Sequence, residues 1–479
     1  MALQSPRRRA GVTIGLVIGV LAIFVGAWAL HRWEPFADDE EHTDVSWPDS
    51  IDDLAGFVEQ TTGLAFDQQV EVEFIDDYDD YAARLRAAWG EPDPRAETWA
   101  EEDEAFGRAL GLWVNDIDLH ERLAVIDDSV TSPAWWLAVE GVLVVNADED
   151  DDLGADARVA VVSNLTEALL DQRYDLQARA AAAVTPQEHQ VVLAMDIGHA
   201  QWVAQEYIGT LDADETEQLG ETDDVAREAN TAFARLPAAF RTLRTAASQA
   251  GLTFTEALYE EPFGTMADAY TDEWPDALDQ LSLPDSKFLT RDPLEEVVAP
   301  RTPEGGEFLR ARQLGPVGVF LMMAASIDAS DALTASDGWG NDATTMYRLD
   351  GRICADSHIV ADSPDDADRL EAGLGAWAYE RPVGSDVLVG RDGVDLYLSM
   401  CDPGVGVRQK TPDSSDGEQI LGRMQLIQTL TALTGQVSVA ECVAVEYFAK
   451  YPAVRVFDDF AFDDSGEFQA QLEDCAATA

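Results

Sequence analysis

The stretch from residue 159 to residue 209 constrains the fold most, because it contains two long segments with the apolar periodicity of a helix. Its first half reads VAVVSNLTEALLDQRYDL, and its end reads VVLAMDIGHAQWVAQEYIG. Apolar residues recur about every 3.6 positions, at Val162, Leu165, Leu169 and Leu176 and then at Val192, Met195, Trp202 and Val203. The sequence therefore predicts two helices that pack through apolar faces.

A polar stripe on the first of these helices indicates where chemistry would lie. Ser163, Glu167 and Asp171 are spaced four residues apart, so they share one face of the helix. A zinc protease places the motif HExxH on such a face, with two histidines one turn apart and a glutamate base beside the first.

The segment resembles a family of haloarchaeal surface proteins with a gluzincin-like metallopeptidase domain. The family motif runs H-E-L-x-H-A-L-Q-D-Q, and a later helix carries E-G-D-A. In this chain Ser163 and Glu167 stand at the two histidine positions, Asn164 at the glutamate base and Ile197 at the third ligand. The phrases FGRALGLW before the motif and WGND after it keep the family order, so the resemblance covers residues 55–403. It implies a helix-rich, zincin-like domain whose active site is degenerate.

The residues themselves argue against catalysis. Catalytic zinc takes about three protein ligands from His, Glu, Asp or Cys and keeps a position for water. Ser163 is a poor ligand and Ile197 is none, while the Asn164 amide cannot take a proton as a general base. We therefore predict no catalytic residue, no cofactor and no enzyme activity: a pseudo-peptidase.

One alternative keeps a metal in the same region. Glu167, Asp196 and His199 offer two carboxylates and an imidazole, which together could bind a divalent cation in a rebuilt site. Under this hypothesis the chain is a metal-dependent hydrolase. The competing interpretation of the same residues is a polar cluster satisfied by hydrogen bonds.

The charge of the chain indicates a halophile and excludes nucleic acid as a partner. Its 92 acidic and 31 basic residues give a formal net charge of −61, although 46% of the residues are hydrophobic, as in a folded protein. In molar salt the Debye length is about 3 Å, so self-repulsion is screened. No basic patch is present to bind phosphates.

The N-terminal sequence predicts a membrane partner. Residues 1–9 are basic and form a predicted cytoplasmic tail, residues 10–30 carry no charge and can span a bilayer, and residues 31–50 are an acidic linker. A cleaved signal ending near Ala27-Trp28-Ala29 is the alternative. The preferred prediction is a single-pass protein of the cell membrane with its body on the extracellular side.

The body is predicted to be α+β. Residues 51–334 form the degenerate zincin-like domain, which includes helices at 223–251 and 253–270 and a strand pair at 135–147. In zincins the edge strand binds an extended peptide by main-chain hydrogen bonds. Binding of an extracellular peptide or protein partner therefore remains possible even without the zinc ion. The acidic run at residues 148–152 favours a solvated turn over a calcium loop.

Residues 335–479 form a predicted smaller α+β domain with all four cysteines. Outside the cell this even number argues for two disulfides, and the sequence leaves three pairings open among Cys354, Cys401, Cys442 and Cys475. The predicted function is a membrane-anchored, extracellular surface protein of a halophile, an inactive metallopeptidase-like scaffold for binding. The hydrolase with a rebuilt site remains the alternative.

Overall fold

The computed structural model describes most of the chain beyond the N-terminal segment. The described residues are 47–90, 93–149, 152–219, 224–260, 266–271, 273–462 and 466–478. About 58% of the chain is helix and two small sheets are present, which confirms the α+β class.

The helices and strands follow one another in mixed order. In chain order they are α1 (Asp49–Thr62), β1 (Glu71–Phe74), α2 (Tyr78–Trp89), α3 (Ala96–Leu110), α4 (Leu119–Asp128), β2 (Ala134–Leu137), β3 (Val142–Val145), α5 (Ala155–Tyr174), α6 (Leu176–Ala182), α7 (Pro186–Ile208), α8 (Ala213–Gln218), α9 (Asp224–Ala234), α10 (Ala238–Leu258), α11 (Met266–Tyr270), α12 (Leu278–Ser282), a π-helix (Pro284–Leu289), β4 (Glu307–Arg312), α13 (Gly315–Ala324), α14 (Ala329–Ser336), β5 (Trp339–Leu349), β6 (Arg352–Ala361), α15 (Pro364–Tyr379), β7 (Leu388–Asp392), β8 (Asp395–Cys401), α16 (Ser414–Thr434), α17 (Val437–Phe448), α18 (Ala453–Phe462) and α19 (Glu467–Thr478).

The chain divides into two compact units that are not the predicted pair of domains. Unit 1 takes in the described residues of Met1–Asp93, Glu121–Arg173 and Val203–Arg235, and unit 2 takes in those of Pro94–His120, Tyr174–Trp202 and Leu236–Ala479. The boundary predicted between residues 334 and 335 does not separate these units, because both sides of it lie in unit 2. Strand β4 precedes that boundary and pairs with β5 after it.

Unit 1 is built on a three-stranded sheet in the order β1-β3-β2. Strand β1 runs parallel to β3, and β2 runs antiparallel to it at the edge. Tyr81 and Leu85 of α2 are fully buried against Val144 of β3 and Leu137 of β2. The Tyr81 hydroxyl donates to the Ser132 carbonyl at 2.9 Å, just before β2 begins. The predicted strand pair at 135–147 is confirmed.

Unit 2 contains a five-stranded antiparallel sheet in the order β4-β5-β6-β8-β7. Ala105 of α3 packs against Met346 of β5 and Ile353 of β6. Trp377 of α15 is fully buried and donates its indole N–H to the Leu110 carbonyl at 2.8 Å. Helix α3 therefore packs on the sheet and is bonded to α15.

Within unit 2, helices α7 and α10 approach each other closely enough that only glycine fits at the crossing. A Cβ atom on Gly251 would lie 1.8 Å from the Ala194 carbonyl oxygen, and one on Gly198 would lie 2.3 Å from the Gly251 carbonyl carbon. Neither position could therefore accept alanine without moving a backbone. The close crossing therefore places His199, the residue after Gly198, in the interior of unit 2.

Two disulfides are present, as predicted, and the structure selects one of the three pairings. Cys354 of β6 bonds Cys401 of β8, directly across the two paired strands. Cys442 of α17 bonds Cys475 of α19. The prediction of two disulfides is confirmed: the first bridge links two neighbouring strands of the sheet, and the second joins the C-terminal helix to α17.

The predicted localisation is contradicted. Over the ranges given above, none of the helices is both long and apolar enough to cross a membrane. The predicted tail and anchor at residues 1–30, and most of the predicted linker, lie outside the described residues.

Candidate functional site

Helix α5 carries the positions where the resemblance would place catalysis, and most of them are buried. Ser163 is 3% exposed, Asn164 1% and Thr166 0%. The helix begins after Gly154 and is apolar on more than one side, since Val161, Val162 and Leu170 point in different directions and are all fully buried. A polar side chain here must be satisfied by hydrogen bonds, because an unpaired buried donor or acceptor costs about 1–3 kcal/mol.

Asn164, at the position of the glutamate base, satisfies this requirement completely. Its amide oxygen accepts the Trp136 backbone N–H at 2.6 Å. Its amide nitrogen donates to the Ala134 carbonyl at 3.1 Å and to the Ala160 carbonyl at 2.8 Å. Both N–H bonds and the carbonyl are therefore used, and the side chain joins α5 to strand β2.

These contacts occupy the backbone groups with which a peptide would pair. Strand β2 is an edge of its sheet, and residues 134 and 136 alternate with the residues that bond to β3. An extended peptide added at this edge would need the same outward N–H of Trp136 and carbonyl of Ala134. The Asn164 side chain makes the two hydrogen bonds that a neighbouring strand would make. At Trp136 and Ala134, the predicted peptide-binding edge is therefore already occupied.

Glu167 lies one turn after Ser163 on the same helix. Burial raises the pKa of its carboxyl group to about 8. The neutral acid is therefore favoured at neutral pH, which is the opposite of what a metal ligand requires, since carboxylates bind cations in the ionised form.

His199 lies at the centre of an aromatic cluster in unit 2 and is fully buried. Its Nδ1 lies 3.0 Å from the Tyr270 hydroxyl, and its Nε2 lies 2.9 Å from the Tyr259 hydroxyl. The Tyr270 hydroxyl donates its single proton to the Met195 carbonyl at 2.9 Å. It must therefore accept from Nδ1–H, and Nε2 accepts from Tyr259.

Because one ring nitrogen donates and the other accepts, the His199 imidazole is neutral, which agrees with its burial among aromatic rings. Burial lowers the pKa of His199 to about 3. The Trp202 ring stacks on Tyr259 with centroids 3.9 Å apart, and its indole N–H donates to Glu256 at 2.9 Å. Tyr174 stacks on the opposite partner, Tyr270, at 4.6 Å. The cluster is closed by rings on both sides of the histidine.

The candidate ligands of the rebuilt metal site come from both units. Glu167 belongs to unit 1, while Asp196 and His199 belong to unit 2. Both ring nitrogens of His199 already bond to tyrosines, so a metal ion would have to displace one of them. Where the structure describes the chain, three metal-ligating side chains come together at Cys442, Glu446 and Cys475.

The remaining predicted positions are apolar or incompletely described. Ile197, which the resemblance would place at the third ligand position, is 8% exposed. Of the acidic run at 148–152, Asp150 and Asp151 lie outside the described residues. The sequence did not predict the tyrosine partners of His199, and the aromatic phrase around Tyr259 was the signal that could have indicated them.

No family model, curated protein or solved structure matches this chain. The arguments about its function therefore come from the geometry described above.

Proposed function

We propose that this chain is a catalytically inactive, metallopeptidase-like protein of a high-salt environment, which serves as a binding protein or scaffold. The observation that carries the proposal is Asn164: the residue at the base position uses every hydrogen-bonding group of its side chain to join α5 to β2. A residue whose two N–H groups and carbonyl oxygen all bond to the backbone is part of the framework.

The zincin-like part of the proposal is supported by local architecture. A small sheet ends in an antiparallel edge strand, and the helix with the degenerate motif lies against that edge. The two disulfides fit a protein that works in an oxidising compartment. The net charge of −61 fits molar salt.

The alternative, a hydrolase with a rebuilt metal site, has less support. His199 would have to lose a tyrosine hydroxyl before its ring could bind a cation. Binding through strand addition at β2 is also disfavoured, because Asn164 occupies that edge. We therefore expect partners to bind on another surface of the chain.

Peptide cleavage is the first test. The oxidised chain in molar KCl is incubated with a mixture of unstructured peptides, with added zinc or with a chelator, and the products are identified by mass spectrometry. The proposal predicts no cleavage under either condition. Chelator-sensitive cleavage that is lost in Glu167→Ala would refute it.

Restoring the ligands tests the zincin-like arrangement separately. Ser163→His with Glu167→His places two imidazoles one turn apart on α5, and Ile197→Glu adds the third ligand of the family. We expect the triple variant to bind zinc at least roughly tenfold more tightly than the double variant. Equal affinities in folded variants, checked by circular dichroism, would contradict the zincin-like arrangement and leave the absence of catalysis standing.

A further inference from the structure

The two helices joined by the second disulfide carry Glu446 and Gln471 beside the sulfur atoms, and the proposed function, which rests on the oxidised form, assigns these two side chains no role. Cys442 and Glu446 are four residues apart on α17, and Gln471 and Cys475 are four apart on α19, so each pair lies on one helix face. The Cys442–Cys475 bond joins these faces. Gln471 Nε2 also donates to Glu446 Oε2 at 2.8 Å and lies 3.6 Å from Cys475 Sγ.

The donor atoms of this group are close enough to share one ion. The two sulfur atoms and a carboxylate oxygen of Glu446 all lie within 4.8 Å of one another. Zinc binds thiolate sulfur at about 2.3 Å and carboxylate oxygen at about 2.0–2.2 Å in tetrahedral geometry. Two thiolates and one carboxylate, supplied by two packed helices, satisfy three positions and leave the fourth for water.

We propose that Cys442, Glu446 and Cys475 form a zinc site when the disulfide between the two cysteines is reduced. A dithiol reductant supplies two electrons and two protons, the sulfur–sulfur bond breaks to give two thiols, and the reductant becomes its own disulfide. A zinc ion then displaces the two thiol protons and binds both thiolates and the Glu446 carboxylate.

The disulfide and the zinc ion are therefore alternative ways of holding α19 against α17. Cys475 is 1% exposed, which keeps one sulfur in a dry position. The Glu446 side chain is 51% exposed, which leaves a path for the ion from solvent. Lys450 Nζ lies 3.4 Å from Glu446 Oε2 and competes with the metal for this carboxylate. We expect Lys450→Ala to tighten zinc binding.

Cobalt(II) titration tests the proposal, because cobalt replaces zinc in thiolate sites and gives thiolate charge-transfer absorption. The chain with Cys354→Ser and Cys401→Ser keeps only the proposed cysteines and is reduced with a phosphine in molar KCl. We expect one cobalt per chain with charge-transfer bands that zinc abolishes. Absence of the bands in the reduced, folded chain would overturn the proposal. If this variant does not fold, the reduced wild-type chain is titrated, with Cys442→Ser/Cys475→Ser as its control.

The carboxylate has a matched control of its own. Glu446→Gln should weaken zinc binding at least roughly tenfold, since it replaces a charged ligand with a neutral one. Glu473→Gln removes an exposed carboxylate from α19 and should leave the affinity unchanged. Equal affinities for the two variants would show that Glu446 is not a ligand. Charge-transfer bands that persist in Cys442→Ser/Cys475→Ser would show that other thiolates bind the metal, which would overturn the proposal.

Discussion

Asn164 offers the sharpest test of how this fold is held together. Asn164→Leu keeps a side chain of similar size but removes the acceptor of the Trp136 N–H and one donor to the Ala134 carbonyl. The Ala134 carbonyl retains the Ser132 hydroxyl at 2.8 Å, so the main loss is the orphaned Trp136 N–H. Leaving such a group unsatisfied costs about 1–3 kcal/mol. With the lost bond to Ala134 added, we expect a destabilisation of about 2–3 kcal/mol.

The second substitution at this position separates hydrogen bonding from size. Asn164→Asp still accepts from Trp136, but its carboxyl group faces the carbonyl oxygens of Ala134 and Ala160, which sit where the asparagine donated. Only the protonated acid can donate to them, so folding raises the pKa of the introduced group. Stability is retained at low pH and lost as the pH rises through that raised value. We expect a larger destabilisation at pH 8 than at pH 5.5.

Urea unfolding in molar KCl, followed by tryptophan fluorescence, measures these differences. Hydrogen exchange of the peptide containing Trp136 gives the local effect, with exchange at least roughly tenfold faster in Asn164→Leu, equivalent to about 1.4 kcal/mol. Thr166→Val is the control, because the Thr166 hydroxyl, also fully buried, bonds only within its own helix to Val162. It should cost at most about 1 kcal/mol. A loss below about 0.5 kcal/mol in Asn164→Leu would refute the role of the asparagine.

Three further predictions concern unit 2. Burial raises the pKa of Glu441 to about 7, above its ordinary 4.5, so its contribution to stability is complete below pH 4.5 and is lost as the pH rises through about 7. Glu441→Gln should therefore flatten the fall in unfolding free energy between pH 5 and pH 8, by up to about 1.4 kcal/mol per pH unit, in urea titrations. Because burial lowers the pKa of His199 to about 3, nitrogen NMR of labelled histidine should show a neutral Nδ1–H ring from pH 8 down to pH 4.5. Tyr259→Phe leaves Nε2 of that ring without its hydroxyl donor, and thermal unfolding should show a destabilisation of about 1–3 kcal/mol.

Local patterns in the sequence predicted the helices of the motif region well. Residues 159–209 lie in α5, α6 and α7, whose buried apolar faces the 3.6-residue periodicity displays directly. The periodicity predicted two helices instead of three, because it did not show that Asp175, with φ 55°, ends α5 before Leu176. The helix expected to end at Gly251 instead begins after Pro237 and continues to Leu258. Gly251 does not break it, because that glycine is needed for the contact between α10 and α7.

Contacts between distant residues could not be read in the same way. Trp136 lies 28 residues from Asn164, and nothing in either local pattern indicates that an amide on a helix would bond to a strand edge. The tyrosine partners of His199 lie 60 and 71 residues away. The pairing of the cysteines depended equally on the register of β6 and β8.

The predicted domain boundary illustrates the same limit. The change in sequence character near residue 335 is real, since β5 and β6 begin there. However, the strand that completes the sheet on that side, β4, lies earlier in the chain and was not predicted. A composition change marks a new kind of element, and only strand pairing shows which unit the element belongs to.

The zinc content of the native protein tests the central claim most directly. The chain is purified in its oxidised form from a halophilic host in molar salt, and bound metal is quantified by mass spectrometry. If the motif positions are purely structural, zinc is far below one ion per chain and is unchanged in Glu167→Ala and His199→Ala. One zinc ion per oxidised chain that is lost in either variant would contradict the account. The rebuilt metal site would then be the preferred hypothesis.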